Sequence, residues 1–270
     1  MARLLLRAHW LSLDVVAGAC LTYCAAARLP AGSKTHHWPT LLVLGAVVFI
    51  IYTTDRLLDN AKTPRPNTPR HQFQFANRKI LAQVSLGLTA ASVVVLIWIP
   101  PKIIQMGFVL AVLTGCYLYL VFKIKQEIVF KELFIAVVYT LGVWGAAQWA
   151  QDEISWEVYV LAGAYWLMAL QNLLLLAWFE AFETDGSSLA QHLGQDVAQK
   201  CLKGLFWLVA IGCLYVAVES PHRYCQRFAV ISFFMACWLA YLKTNPPVFL
   251  SQERYRWLAD AVFLMPLLLL

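Results

Sequence analysis

Nine stretches of apolar residues, separated by polar segments, take up most of this chain. They lie at 8–27, 38–58, 79–99, 103–122, 130–149, 156–179, 201–218, 226–242 and 255–270. Each approaches the roughly 20 residues that a helix needs to cross the hydrocarbon of a bilayer. Hydrophobic residues make up 61% of the chain and charged residues 13%, which excludes a soluble domain. The sequence therefore predicts an all-α polytopic membrane protein, a bundle of about nine transmembrane helices that forms one domain over residues 1–270.

The distribution of positive charge predicts how these helices are oriented. With nine spans, sixteen of the 21 lysine and arginine residues fall on the side of the N-terminus and five on the other side. Cytoplasmic loops carry the excess of positive charge in membrane proteins. We therefore expect a multi-pass protein of the inner or plasma membrane, with a cytoplasmic N-terminus and the C-terminus on the opposite side. No basic run with interleaved aromatic residues indicates a nucleic-acid partner.

Two acidic clusters end the second and the sixth apolar stretch. Asp55 and Asp59 are spaced i, i+4 and project from one face of a helix. Glu180 and Glu183 are spaced i, i+3, and Asp185 follows them. Carboxylates close to the hydrocarbon are costly and mark functional sites by default, and Mg²⁺ favours carboxylates together with water and phosphate oxygens. We therefore predict that these five acids bind Mg²⁺ and a diphosphate, with the first four also as candidate catalytic residues.

A diphosphate brings more negative charge than Mg²⁺ neutralises, so the site needs cationic side chains as well. Arginine grips phosphate in a bidentate manner, and lysine acts as a point charge. The candidates are Arg56, Arg70, Lys123 and Lys125. Any of them could equally follow only from the positive-inside bias, and Arg56 could pair with an acid of its own cluster.

Aromatic and amide side chains within the spans are candidates for the wall of a substrate pocket. Tyr52 and Tyr119 could stabilise a carbocation through their ring faces, although tyrosine is also common at any membrane interface. Asn172 is an amide within an apolar helix, so it either contacts a ligand or bonds to a neighbouring helix. We predict that these three residues bind substrate.

Two further carboxylates lie inside the first and the ninth span. Asp14 and Asp260 both fall in the cytoplasmic half of the membrane, at about 1.5 Å of rise per residue. Four spans thus place an acid near the same face, which predicts convergence on one polar cavity. For this pair we favour a structural role, a hydrogen-bond network between the first and ninth spans, over direct catalysis.

The acidic clusters and their surroundings resemble the UbiA superfamily of intramembrane prenyltransferases. The first motif of that family, NDxxDxxxD, corresponds to Ile51–Asp59, in which Asp55 and Asp59 match while Ile51 and Tyr52 replace the leading Asn and Asp. The stretch FEAFETDGSSLAQHLG resembles the second motif, with Glu180 and Glu183 at a different spacing. The segment YLVFKIK resembles the Tyr-x-x-x-Lys-Arg element after the fourth span. The similarity covers the whole chain in topology and part of each motif.

The resemblance implies a helical bundle around a central cavity and a Mg²⁺-dependent reaction. Members of the family ionise a prenyl diphosphate and transfer the allylic cation to an acceptor. By this analogy Asp55 and Asp59 would bind one Mg²⁺, and Glu180, Glu183 and Asp185 a second. Arg70, Lys123 and Lys125 would hold the diphosphate.

Three functions remain open from the sequence. The first is a prenyltransferase that acts on an aromatic or lipid-like acceptor in the bilayer. The second is a membrane terpene cyclase, in which the cation closes on its own chain within an aromatic-rich wall. The third is a non-catalytic or transport protein on the same scaffold, which the altered first motif and the intramembrane acids Asp14 and Asp260 favour. A requirement for Mg²⁺ and prenyl diphosphate separates the enzymes from the third function, and dependence on an acceptor separates the first two.

Overall fold

The computed structural model describes residues 7–62, 69–124, 131–151, 153–182 and 189–270, with the side chains of 59–62, 69–71, 121–124 and 252 left out. Within these ranges every regular element is helical, so the predicted all-α class is confirmed. The longer helices are α1 (Leu13–Ala27), α2 (Trp38–Lys62), α3 (Pro69–Ala76), α4 (Arg78–Val95), α5 (Pro101–Ile124), α6 (Lys131–Thr140) and α7 (Trp156–Glu180). They are followed by α8 (Leu189–Leu193), α9 (Gln195–Glu219), α10 (Arg223–Leu242), α11 (Pro246–Leu250) and α12 (Arg254–Asp260).

Six of the helical segments in the described ranges are long and apolar enough to cross a membrane. They are Trp38–Leu58, Arg78–Trp98, Pro101–Leu120, Trp156–Glu180, Gln195–Glu219 and Arg223–Leu242. Each coincides with one of the apolar stretches in the sequence. These six helices therefore support the prediction of a membrane protein.

The other three apolar stretches also form helical segments, but with interruptions or shorter lengths. The α1 helix has 15 residues. The α6 helix continues through a π-helical turn at Leu141–Gly145 into a last turn at Ala146–Gln148. The α12 helix continues as a 3₁₀ segment, Ala261–Leu269. Because a 3₁₀ helix rises about 2.0 Å per residue, α12 and this segment together extend for roughly 28 Å, close to the thickness of the hydrocarbon core.

The α7 helix forms the centre of the packing. In its apolar window 56% of the residues are buried, against 6% for the α4 segment and 11% for α5. The α7 helix packs against α6, α9, α10 and α12, while α4 contacts mainly α2. The outer helices therefore leave most of their apolar side chains for lipid, and polar residues that converge on α7 lie in the interior of the protein.

The first helix and the C-terminal 3₁₀ segment lie side by side and run in the same direction. Near their beginnings Asp14 approaches Asp260, and near their ends Arg28 Nη1 donates a hydrogen bond of 3.1 Å to the carbonyl oxygen of Leu270. Between these points a Cβ atom on Gly18 would lie only 2.7 Å from Phe263 Cβ. A residue without a side chain is thus required there. The two helical segments that correspond to the first and ninth apolar stretches are therefore in contact.

Candidate functional site between helices α1, α2, α7 and α12

A small pocket lies between α1, α2, α6, α7 and the C-terminal segment. Its polar lining consists of Tyr52 on α2, Tyr139 on α6, Asn172 on α7 and Asp260 at the end of α12. The pocket has a volume of about 20 Å³, room for about one water molecule. Tyr52 and Asn172, two of the seven residues predicted to bind substrate, therefore line one pocket together.

The Asn172 side chain at this pocket has unused hydrogen-bonding capacity. Asn172 Nδ2 donates to Asp260 Oδ1 at 3.2 Å, while Asn172 Oδ1 is buried without a hydrogen-bond partner in the described structure. Buried polar atoms are nearly always hydrogen-bonded in native proteins, to water if not to protein. An acceptor at the lining that lacks a partner therefore indicates that a water molecule or a polar ligand group binds here.

Asp260 belongs also to a cluster with His9 and Asp14. His9 Nδ1 lies 2.6 Å from Asp14 Oδ2, and one ligand atom from each of the three side chains falls within 4.8 Å of the others. The chain can fold back in this way because Ser12 has a left-handed backbone (φ 55°), which separates the turn containing His9 from α1. An imidazole and two carboxylates are donors that a divalent cation accepts, and they can also share a proton.

A cluster of aromatic rings adjoins the pocket, and two of its members, Tyr139 and Phe263, belong to the lining. The Tyr139 ring lies 6.0 Å from that of Phe263 and 6.1 Å from that of Tyr165, measured between centroids. Tyr165 in turn lies 5.6 Å from Phe263 and 6.0 Å from Trp144. These separations are within the range of favourable aromatic pairs. The lining of the pocket thus combines carboxylate and amide groups with aromatic rings.

The first acidic cluster lies beside this pocket. Asp55 is half-buried on α2, close to Tyr52, and its charge interacts with the Tyr52 hydroxyl. The charge of Arg56 interacts with Asp260, and the Arg56 Nε atom is buried without a partner in the described structure. Asp59 follows on the same helix, but its side chain lies outside the described structure. Tyr52 lines the pocket, and Asp55 and Arg56 follow it by about one helical turn on α2.

In the second acidic cluster, Glu180 is engaged in an ion pair. Glu180 Oε1 accepts from Arg256 Nη1 at 2.8 Å, and Arg256 Nε also lies 3.4 Å from Glu253 Oε2. The prediction treated Glu180 as a metal ligand and gave no role to Arg256. Glu183 and Asp185 lie outside the described residues.

The remaining candidates are not brought to the pocket by described side chains. Arg70 lies in α3 and Lys123 in α5, both with side chains outside the described structure, and Lys125 lies outside the described residues. The Tyr119 side chain on α5 is 60% exposed and is not part of the lining of the pocket. Tyr119 therefore faces outward, apart from Tyr52 and Asn172.

Sequence reasoning missed three participants, which are His9, Arg256 and Phe263. His9 lies five residues before Asp14, too far for contact along one helix, and only the left-handed Ser12 brings them together. Arg256 lies one helical turn before Asp260, and that spacing is a signal that could have linked it to the site. Phe263 stands in a uniformly apolar run, where no sequence signal distinguishes it.

No protein-family model, no curated protein and no solved structure matches this chain. The pocket and the residues that surround it therefore provide the basis for assigning a function.

Proposed function

We propose that the chain is a Mg²⁺-dependent intramembrane prenyltransferase, which moves an isoprenyl group from a prenyl diphosphate to an aromatic or lipid-like acceptor. The observation that carries the proposal is the mixed lining of the pocket. Asn172 and Asp260 line it together with the rings of Tyr139 and Phe263, and Asp55 and Arg56 lie one helical turn beyond the lining residue Tyr52 on α2. An allylic diphosphate likewise combines a charged head with an apolar chain.

The carboxylates of the two acidic clusters do not fit Mg²⁺ equally well as ligands. Asp55 is half-buried on α2, and Asp59 follows it by four residues on the same helix, an arrangement suited to an ion that keeps some of its waters. Glu180 fits less well because Arg256 already occupies one of its oxygens. Mg²⁺ bound by Asp55 and Asp59 would neutralise the diphosphate and stabilise it as a leaving group. Arg56 would add a further positive charge, and Tyr139 and Phe263 would present ring faces to the allylic cation.

The proposal includes a topology and a conformational change. All nine helical segments would cross the membrane around a central cavity, with the N-terminus in the cytoplasm and the C-terminus outside. The roughly 28 Å length of α12 with its 3₁₀ extension supports a ninth crossing. Because the pocket has room for only about one water molecule, a prenyl chain would enter only after the surrounding helices separate.

The test uses the purified protein in nanodiscs with a panel of allylic prenyl diphosphates and candidate acceptors. Release of pyrophosphate is measured with and without Mg²⁺. We expect Mg²⁺-dependent release that Asp55→Asn/Asp59→Asn abolishes and that Asp196→Asn leaves unchanged, since Asp196 is an exposed acid in the first turn of α9. Release without Mg²⁺, or equal loss in the Asp196→Asn control, would contradict the proposal.

Two alternatives keep support from particular observations. The aromatic wall of Tyr139, Tyr165 and Phe263 also suits a terpene cyclase, which would release pyrophosphate and form a cyclic product without any acceptor. The cluster of His9, Asp14 and Asp260 also suits a cation or proton path. Substrate-independent proton flux into proteoliposomes that Asp260→Asn stops, together with no pyrophosphate release, would favour this transport function.

A further inference from the structure

A second groove lies on another face of α7, between α7, α9 and α10. Two lysines, Lys203 on α9 and Lys243 directly after α10, line it together with Gln171 on α7, and its walls include Phe206 and Leu239. Its volume is about 50 Å³. It shares no lining residue with the pocket at Asp260. The consecutive residues Gln171 and Asn172 line different cavities because successive side chains point about 100° apart around a helix.

The two lysines concentrate positive charge in this groove. Burial and the neighbouring charge of Lys203 lower the pKa of the Lys243 ammonium group. Among the described residues no carboxylate forms an ion pair with either lysine. Two like charges that face one groove without a counter-ion create a site for an anion.

Gln171 adds an independent indication of a ligand. Its side chain is only 1% exposed, and its Oε1 atom has no hydrogen-bond partner in the described structure. An unpaired buried acceptor of this kind destabilises the folded protein unless a donor binds to it. A ligand that fits the groove would therefore carry a hydrogen-bond donor as well as an anion.

The position of the groove indicates where such a ligand comes from. Lys243 follows the last residue of α10, and Lys203 lies about 12 Å along α9, so both long side chains can reach the level of lipid headgroups. Neighbouring side chains on the same two helices, Trp207 and Tyr241, are 62% and 52% exposed. A molecule in the groove would thus lie among side chains that face the lipid.

We propose that this groove binds an anionic phospholipid. The lipid phosphate lies between the ammonium groups of Lys203 and Lys243, a hydroxyl of the headgroup donates to Gln171 Oε1, and the acyl chains extend out of the groove past Phe206. The site is separate from the pocket of the proposed enzyme and does not depend on that function.

Native mass spectrometry in a neutral detergent tests this site with short-chain phosphatidylglycerol and phosphatidylcholine. Each lysine near a membrane surface contributes about a fivefold factor to the binding of an anionic lipid. We therefore expect Lys203→Gln/Lys243→Gln to bind phosphatidylglycerol about 25-fold more weakly, with little change for phosphatidylcholine. Lys200→Gln is the matched control, because it removes the same charge from an exposed position on α9 and should retain binding.

Three results would overturn the proposal. They are equal affinity of the unaltered protein for the two lipids, an equal loss in Lys200→Gln, and displacement of phosphatidylglycerol by inorganic phosphate at comparable concentration. The last would show that the groove takes a free anion. The single variants Lys203→Gln and Lys243→Gln, each expected to lose about fivefold, keep the test decisive if the double variant is unstable.

Discussion

The close approach of α1 to the C-terminal segment predicts opposite effects for two glycine substitutions. A methyl group on Gly18 would lie 2.7 Å from Phe263 Cβ and 3.2 Å from the Phe263 carbonyl oxygen. Carbon atoms in contact are separated by about 3.5–4.0 Å, so the two segments would have to move apart by roughly 1 Å. Neither atom is the end of a flexible side chain, so rotation cannot relieve the contact.

The magnitude follows from two opposing effects. Overpacking a well-packed interior lowers the free energy of unfolding by about 1–3 kcal/mol, while alanine gains roughly 0.5–1 kcal/mol over glycine within a helix. Gly18→Ala should therefore lose about 1–2 kcal/mol net. Gly163 lies within α7 with no atom within 4 Å of an added Cβ, so Gly163→Ala should keep only the gain.

Thermal unfolding in detergent, followed by tryptophan fluorescence, measures both variants beside the unaltered protein. At about 2–4 °C per kcal/mol, Gly18→Ala should melt about 2–8 °C lower, and Gly163→Ala should melt at the same temperature or higher. If Gly18→Ala is as stable as Gly163→Ala, α1 and the C-terminal segment do not touch at this point. Because Gly18 lies one turn after Asp14, the same variant should also disturb the cluster of Asp14 and Asp260.

Three further substitutions test other contacts. Asp260→Ala leaves the buried Asn172 amide without its acceptor, so we expect about 1–3 kcal/mol of destabilisation. The folded yield, measured by chromatography, should fall more than the specific activity, measured as turnover. Asp260→Asn keeps an acceptor and should lose less stability. Arg256→Gln breaks the partly exposed ion pair with Glu180 and should lower the free energy of unfolding by about 1 kcal/mol. If the released Glu180 then becomes a metal ligand, Mg²⁺ should raise the melting temperature of this variant more than that of the unaltered protein. Gln171→Leu removes an unpaired buried acceptor and should raise the melting temperature in lipid-free detergent, and an unchanged or lower value would contradict that reasoning.

The positions of the helices were predictable, because each apolar stretch must be buried in the protein or inserted in the membrane whatever the tertiary structure. The changes of helix type within these stretches were not predictable. The π-helical turn at Leu141–Gly145 and the 3₁₀ segment Ala261–Leu269 alter rise and direction within stretches that are uniformly apolar. Hydrophobicity gives the length of a segment, but not which hydrogen-bond pattern its backbone adopts.

Part of the site was also predictable, since polar groups in an apolar helix must find one another. Tyr52, Asn172 and Asp260 line one pocket, although the sequence had paired Asp260 only with Asp14. The partner of Glu180 did not follow from sequence, because positive charge on that side of the chain already had an explanation in the topology. In the sequence, an arginine that forms an ion pair looks the same as one that only follows the positive-inside bias. The two cases can be distinguished only in the folded structure.

The pairing of Glu180 with Arg256 has a geometric reason that bears on the second acidic cluster. The α12 helix contacts α7 at two polar points, Asp260 with Asn172 and Arg256 with Glu180. The order of these pairs is antiparallel. The paired residues are eight positions apart on α7 and four positions apart on α12, a mismatch that the long arginine side chain can bridge. Both pairs fix how α12 lies against α7, and the position of Asp260 at the pocket depends on them. Glu180 therefore acts first as an anchor for the helix that carries Asp260, and a metal ion at the second cluster would have to compete with Arg256 for it.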